Sequence, residues 1–240
     1  MMPMDASAQG GSWIARYQQL FDTALPTGAY AHSQGIEGLI QAGEIETDTD
    51  LVSFIKTEVA ELLIQVEYPL YRLTYETVES GQYERLLEWD RLSRATKGTY
   101  ELRKSASDVG KQTYRLFEGI FKQSEQTETI RLIQHCSEFF ETYQIGVVSA
   151  MLAEAMKVPL DAALIGYGQQ LISGMVLPSI KLLNIGPMRV QGILFELNGS
   201  LEVWKKESLT VDVHEIGSVA PRWDIASSNH QFAERRLFIS

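Results

Sequence analysis

The chain has 240 residues and a formal net charge of −10, with 31 Asp and Glu against 21 Lys and Arg. An acidic chain without a basic stripe repels phosphate groups, which excludes nucleic acid and an anionic membrane surface as expected partners. Hydrophobic residues make up 45% of the chain and charged residues 22%, a composition typical of a folded globular protein. We therefore expect one domain that spans residues 1–240.

Cysteine usage and the N-terminal residues indicate the compartment. Cys136 is the only cysteine in the sequence, so no intramolecular disulfide can form and a reducing environment is expected. Residues 1–11 lack the basic and apolar regions of a signal peptide, and no apolar run reaches the roughly 18 residues of a membrane span. We expect a cytoplasmic protein in which residues 1–11 form a loose tail.

Apolar residues recur with helical spacing along most of the chain. In order, the pattern predicts helices over residues 12–22, 29–42, 51–66, 83–92, 100–121, 130–143, 145–156, 160–177 and 188–204. Pro26 and Gly28 separate the first two helices, and the polar run from Thr47 to Asp50 supplies capping side chains for the third. The helices predicted over 145–156 and 160–177 are apolar on most sides, so we expect them at the centre.

The C-terminal part of the chain departs from this helical pattern. Residues 211–216 alternate between apolar and polar, which predicts a short strand. From Gly217 onwards the sequence is irregular, and we expect residues 217–240 to form a tail. The whole pattern predicts an all-α fold, a single-domain irregular helical bundle with a flexible N-terminal tail and an irregular C-terminal tail.

Motifs for nucleotide or metal binding are incomplete. A phosphate loop requires G-x-x-x-x-G-K-[ST], whereas Gly110-Lys111 is followed by Gln112 within a predicted helix. The run Gly166-Tyr167-Gly168 lacks both the final glycine and the preceding strand of a dinucleotide fingerprint. His135 and Cys136 are adjacent, so a helix directs them about 100° apart, and we interpret the cysteine as a buried or half-buried thiol. We expect no directly bound cofactor or metal and no active site.

Ser33 leaves a catalytic alternative open. The run Ala31-His32-Ser33-Gln34-Gly35 is similar to the nucleophile elbow G-x-S-x-G, with Ala in place of the first glycine. Histidines elsewhere in the chain could supply a base, so a serine hydrolase that uses Ser33 is an alternative function. The elbow requires a strand before the serine, and the pattern before Ser33 is helical, which favours a non-catalytic protein.

Two further features suggest contacts with partners. Lys181 lies in the apolar run Pro178-Ser179-Ile180-Lys181-Leu182-Leu183, where a lone cation either extends to the surface or is presented to a partner. The chain closes with Arg235, Arg236, Leu237 and Phe238, and arginine with aromatic residues is favoured at interface anchors. This tail docks either on a partner or on its own core, and the sequence leaves both possibilities open.

The segment from Phe21 to Glu37, FDTALPTGAYAHSQGIE, resembles the N-terminal signature of the urease accessory protein UreF family, P-x-G-x-[FY]-x-[HY]-S-x-G-[LI]-E. The run Glu101-Leu102-Arg103 and the closing segment from Ala220 to Ser240 are also similar to that family, in the same order. The chain departs from the family pattern at residues 143–144 and 184–188.

The resemblance implies an all-helical homodimer that acts as a non-catalytic scaffold. With the accessory protein UreD/UreH and the GTPase UreG, it would assemble the complex that inserts nickel into the urease apoprotein, and it would modulate the GTPase. Nickel would be handled by the complex. Matching positions place Tyr30 and Lys181 on the GTPase-facing surface. They place five residues of the tail on the UreD/UreH-facing surface: His230, Arg235, Arg236, Leu237 and Phe238. A helical adaptor unrelated to nickel is the remaining alternative.

Overall fold

The computed structural model describes residues 12–22, 24–29, 32, 34–217 and 225. Within these ranges the regular secondary structure is helical and contains no strand, which confirms the predicted all-α class. The α-helices are α1 (Ser12–Leu20), α2 (Ile36–Gln41), α3 (Asp48–Phe54), α4 (Ala60–Leu62), α5 (Tyr68–Glu79), α6 (Leu86–Ala95), α7 (Tyr100–Gln123), α8 (Thr127–Ser137), α9 (Ile145–Ala155), α10 (Leu160–Val176), α11 (Ser179–Leu182), α12 (Pro187–Asn198) and α13 (Leu201–Ser208). No helix in the described ranges is long and apolar enough to cross a membrane.

Helices α3, α4 and α5 form one continuous helix over residues 48–79, joined by two π-helical segments, Ile55–Val59 and Leu63–Glu67. The helix begins as the sequence predicts. The hydroxyl of Thr47 accepts from the backbone N–H of Asp50, and the Asp50 carboxylate accepts from the backbone N–H of Thr47 in return. This capping box satisfies backbone donors that the first helical turn leaves without partners.

Pro69 lies inside this continuous helix, directly after the second π-helical segment. A proline has no N–H, so it cannot donate to the carbonyl four residues earlier, that of Gln65. The Gln65 carbonyl instead accepts from the backbone N–H of Gly217, at 3.3 Å. The start of the C-terminal tail is therefore attached to a carbonyl beside Pro69.

Helix α9 lies at the centre of the bundle. Every residue from Gly146 to Ala155 is buried, as the sequence predicts for an apolar helix rich in small residues. The continuous helix, α7 and α10 pack around it. In α10, a Cβ added to Gly168 would lie 2.0 Å from the hydroxyl oxygen of Tyr68, so the absence of a side chain there lets α10 approach α5 closely.

Asp90 in α6 fixes the loop that leads into α9. Its carboxylate is fully buried and accepts from the backbone N–H groups of Glu141, Thr142 and Gln144. The Thr142 hydroxyl donates to the same carboxylate, at 3.0 Å. A carboxylate with several donors replaces the water that it loses on burial, so this loop is held in one conformation.

The structure corrects two predicted helices. The helix expected over residues 29–42 begins only at Ile36, because Gln34 and Gly35 have positive φ angles of 52° and 87° that break helical geometry. The helix expected over 188–204 is divided at Gly199 and Ser200 into α12 and α13.

Other predictions near the ends of elements were also wrong or lie outside the described residues. The strand expected over 211–216 is instead a short 3₁₀ turn, Val213–Glu215, capped by Asp212. The helix expected over 130–143 ends at Ser137, and Tyr143 has a φ of 60°. The expected tails over 1–11 and 217–240 lie outside the described ranges, apart from Gly217 and Ile225.

Gly110 should be essential to the packing of α7 against the start of α9. A Cβ at Gly110 would lie 1.9 Å from the backbone carbonyl oxygen of Tyr143, which the Asp90 loop holds in place. We expect Gly110→Ala to lower the free energy of unfolding by about 1–3 kcal/mol, measured by urea denaturation. Gly119, in the same helix, has open space around its Cβ position. Gly119→Ala should therefore be neutral or stabilising by up to about 1 kcal/mol, and equal losses in both variants would contradict this packing argument.

Candidate functional site

A cavity of about 410 Å³ opens beside the centre of the bundle. It lies between the α1–α2 connection, the continuous helix, α7, α9, α10 and α11. We call it the signature cavity because described residues of the UreF-like signature segment line it. Its walls are mostly apolar and include Leu25, Leu62, Leu102, Val109, Leu171 and Met175. A cavity of this size and character is typical of a binding site.

The segment that carries the UreF-like signature forms one wall. Leu25, Thr27, Ala29, His32 and Gln34 all line the cavity. The segment approaches α10 closely because Gly174 has no side chain: a Cβ there would lie 2.7 Å from the side-chain nitrogen of Gln34. The fold therefore brings this segment against α10, 140 residues further along the chain.

His32 faces a partly apolar environment in this wall. Burial lowers the pKa of His32 below its usual range, and the nearby carboxylate of Asp108 partly opposes this effect. The imidazole is therefore neutral at pH 7. A neutral, half-buried histidine suits an apolar contact surface better than a charged one does.

A buried polar cluster forms another part of the cavity lining. The Tyr167 hydroxyl donates to Glu67 at 2.6 Å, and the Lys97 ammonium lies 3.4 Å from the other carboxylate oxygen of Glu67. Lys97 also donates to the carbonyl oxygen of Ser93, at 2.9 Å. The Glu67 side chain is 7% exposed and the Lys97 side chain 15%, so each charge depends on the other for its solvation.

The cluster has the chemistry of a structural anchor. Burial and the adjacent Glu67 carboxylate together hold the pKa of Tyr167 well above its usual range, so the hydroxyl stays protonated and acts as a donor. Ser149 is among the residues around the same cavity, and its buried hydroxyl has no hydrogen-bond partner among the described residues.

Lys181 lies on the short helix α11, lines the cavity and is exposed. No ion pair within the described ranges involves it. Its side chain is exposed, and Ala29 and His32 of the signature segment line the same cavity.

Several predicted site residues lie outside the described part of the chain. These are Tyr30, the alternative nucleophile Ser33, and the tail residues His230, Arg235, Arg236, Leu237 and Phe238. The neighbours of Tyr30 in the described segment, Ala29 and His32, both line the cavity. The predicted roles of the residues outside these ranges stay predictions.

The described residues contain no cluster of three or more His, Cys, Asp or Glu side chains that could hold a metal ion. Cys136 is fully buried, in agreement with its interpretation as a core thiol. Burial raises the pKa of its thiol to about 12, with a smaller contribution from the Glu154 carboxylate. Metals bind the thiolate form, which this environment disfavours at neutral pH.

The sequence did not reveal Glu67, Lys97 and Tyr167 as members of the site. Glu67 lies in the second π-helical segment, Lys97 in the connection between α6 and α7, and Tyr167 in α10. They are up to 100 residues apart, and no local sequence pattern relates them. Only Glu67 has a distinctive local context in the sequence, because an aromatic residue, Tyr68, and a proline, Pro69, follow it directly. Glu67 is buried because α10 packs against the continuous helix, and this tertiary contact has no counterpart in the local sequence.

The described residues form an all-helical fold with a large, mostly apolar cavity beside its central helix. A model of the UreF family matches residues 45–198. The urease accessory protein UreF of Pseudomonas putida strain F1 is 28% identical over 227 residues, covering 95% of this chain and 97% of that protein. The proteins of the same name from Marinomonas sp. strain MWYL1 and Haemophilus influenzae strain PittEE are 26% and 27% identical, over 95% and 92% of this chain. The chain belongs to the UreF family of urease accessory proteins.

The buried pair in the cavity makes a prediction about stability. Lys97→Met leaves the Glu67 carboxylate buried without its cation, so we expect a loss of about 3 kcal/mol in the free energy of unfolding. Adding Glu67→Gln to Lys97→Met should restore much of this loss, because the unpaired charge is removed.

The matched control is Lys104→Met, which removes an exposed ion pair with Asp108. We expect a change of less than about 1 kcal/mol for that variant. Urea denaturation of the variants measures these differences. Lys97→Met and Lys104→Met with the same small effect would show that the Glu67 pair is not a structural anchor.

Proposed function

We propose that this chain is a non-catalytic scaffold for nickel delivery in the cytoplasm. Together with UreD/UreH and the GTPase UreG, it assembles the complex that inserts nickel into the urease apoprotein, and it modulates the GTPase. The proposal is supported by membership of the UreF family over nearly the whole chain. Two copies of the chain form the centre of the assembly, and nickel is handled by the complex without a cofactor bound to this chain.

The observation that carries this proposal is that Lys181 lines the same cavity as the signature segment. An exposed lysine without an ion pair in the described ranges borders a mostly apolar cavity, and residues on both sides of Tyr30 line that cavity. This combination suits a protein partner that brings a carboxylate to Lys181 and an apolar side chain to the cavity. We assign the mouth of the signature cavity to the GTPase.

Modulation of the GTPase follows from the same surface. A scaffold changes the balance between two states of a partner only if it binds one of them more tightly. The Glu67 cluster and the Asp90 loop hold the walls of the cavity in one arrangement. A preorganised surface of this kind discriminates between the nucleotide states of the GTPase by its fit, at a low entropic cost.

The test of this docking surface is co-purification of the chain with UreG. We expect Lys181→Glu to weaken binding of UreG roughly tenfold or more, because a repulsive charge replaces an interface cation. Binding of UreD/UreH should be unchanged. The matched control is Lys206→Glu, a reversal at an exposed lysine on α13. Equal binding of UreG by both variants would contradict the assignment of the cavity mouth.

The tail provides a separate test of the UreD/UreH contact. A chain that ends at Gln231 lacks Arg235, Arg236, Leu237 and Phe238 but keeps every helix described above. We expect this chain to lose UreD/UreH in co-purification. A truncated chain that still retains UreD/UreH would show that the tail is not the docking segment, and a full chain that binds neither UreD/UreH nor UreG would refute the scaffold function.

A further inference from the structure

The connection between α6 and α7 forms part of the wall of the signature cavity. It consists of residues 96–99, and three of them, Thr96, Lys97 and Gly98, line the cavity. Lys97 supplies the ammonium group that pairs with the buried Glu67 carboxylate. The backbone of this short connection therefore decides where one charge of the buried pair lies.

Arg103 holds this connection from the first turns of α7. Its Nη1 donates to the carbonyl oxygen of Lys97 at 2.7 Å and to that of Gly98 at 3.1 Å. Carbonyl groups in the connection after a helix have no partner within that helix, and one guanidinium nitrogen carries two N–H groups, which is enough for both. The backbone N–H of Arg103 also donates to the carbonyl oxygen of Thr99, at 3.2 Å. Arg103 therefore fixes three successive carbonyl groups of the connection.

The Lys97 side chain depends on the position of this backbone. Its ammonium donates to the carbonyl oxygen of Ser93 at 2.9 Å and to the Ser93 hydroxyl oxygen at 3.2 Å, and it lies 3.4 Å from the Glu67 carboxylate. A lysine side chain is long and flexible, so holding it in one conformation costs entropy. The ammonium makes these contacts together only if the backbone of residue 97 is held beside α6. The Arg103 guanidinium binds the carbonyl oxygen of that same residue.

We propose that Arg103 is a positioning residue of the GTPase-docking site. Its guanidinium fixes the connection between α6 and α7, so that Lys97 meets Glu67 in the wall of the signature cavity. Arg103 does not itself line the cavity, and it acts there through Lys97. This inference rests on the proposed function in one respect, the docking of the GTPase at this cavity. A wall that is fixed before the partner arrives lowers the entropic cost of docking.

Positioning and direct contact with a partner predict different behaviour for Arg103. The residue is half-buried, so an arginine there could also touch a partner. A direct contact would contribute to docking whatever stands at residue 97. A positioning role disappears once there is no charged pair left to position. The chain that carries both Glu67→Gln and Lys97→Met, here called the neutral-pair chain, has no buried charge at either position and separates the two cases.

The first test is urea denaturation of the full chain without any partner. We expect Arg103→Met to lower the urea midpoint of the unmodified chain roughly twice as much as it lowers that of the neutral-pair chain, or more. In the unmodified chain the substitution removes hydrogen bonds and also weakens the Glu67 pair, whereas in the neutral-pair chain it removes only the hydrogen bonds. Equal shifts of the midpoint in both chains would overturn the inference.

The second test is the Kd for UreG. We expect Arg103→Met to raise this Kd roughly tenfold in the unmodified chain and by less than about threefold in the neutral-pair chain, each relative to its own background. Arg103→Lys should recover part of the binding, because an ammonium group can still donate to both carbonyl oxygens. The matched control is Arg94→Met, at an exposed arginine in the last turn of α6, which should leave the Kd unchanged. A tenfold rise in both backgrounds would show direct contact and overturn positioning.

The outcomes separate this inference from the proposed function. The urea measurement needs no partner, so it tests the coupling of Arg103 to the buried pair even if UreG does not bind. If Lys181→Glu weakens the binding of UreG and Arg103→Met does not, the docking surface stands and the role of Arg103 in docking is overturned. If the urea midpoints are coupled as expected and UreG binds neither the unmodified chain nor any variant, the proposed function fails together with the docking role of Arg103.

Discussion

Helix α9 has no solvent-exposed face from Gly146 to Ala155, and the arrangement of the helices around it follows from this constraint. Small side chains let the continuous helix, α7 and α10 pack against it from different directions. Glu154, the charged residue of α9, is buried at the last turn, where Lys157 reaches it with an ammonium group that remains in solvent. The helix thus buries every residue from Gly146 to Ala155, and its one carboxylate is paired with an exposed lysine just beyond its C-terminal end.

The signature cavity is a product of this packing. Several helices pack against α9, and the signature segment, which approaches α10 closely at Gly174, lines the cavity beside it. The polar atoms that are enclosed as a result are satisfied mainly by one another, as in the contact between Tyr167 and Glu67. The same packing of helices therefore produces the apolar walls of the cavity, the burial of its polar groups and the pairing of their charges. Lys181 is an exposed residue of the same lining.

Sequence patterns predicted the parts of this fold that depend on composition and periodicity. The central helices α9 and α10 were evident from apolar residues on all sides, and the start of α3 from its capping residues. The helix boundaries that were predicted wrongly depend on the backbone conformation of single residues, such as the positive φ of Gln34. A non-glycine residue gives no sign in the sequence that it adopts a positive φ. Lys181 and the signature segment were found from a local run of residues. The Glu67 cluster was not, because its members meet only through tertiary packing and no local pattern records their contact.

Pro69 connects two regions that the sequence separates widely. Because it leaves the Gln65 carbonyl to Gly217, the tail begins at the same helical turn that supplies Glu67 to the cavity. Residues 65 and 67 are only about 3 Å apart along the helix axis. The point where the tail begins is thus attached to the continuous helix about half a turn from a side chain that lines the cavity.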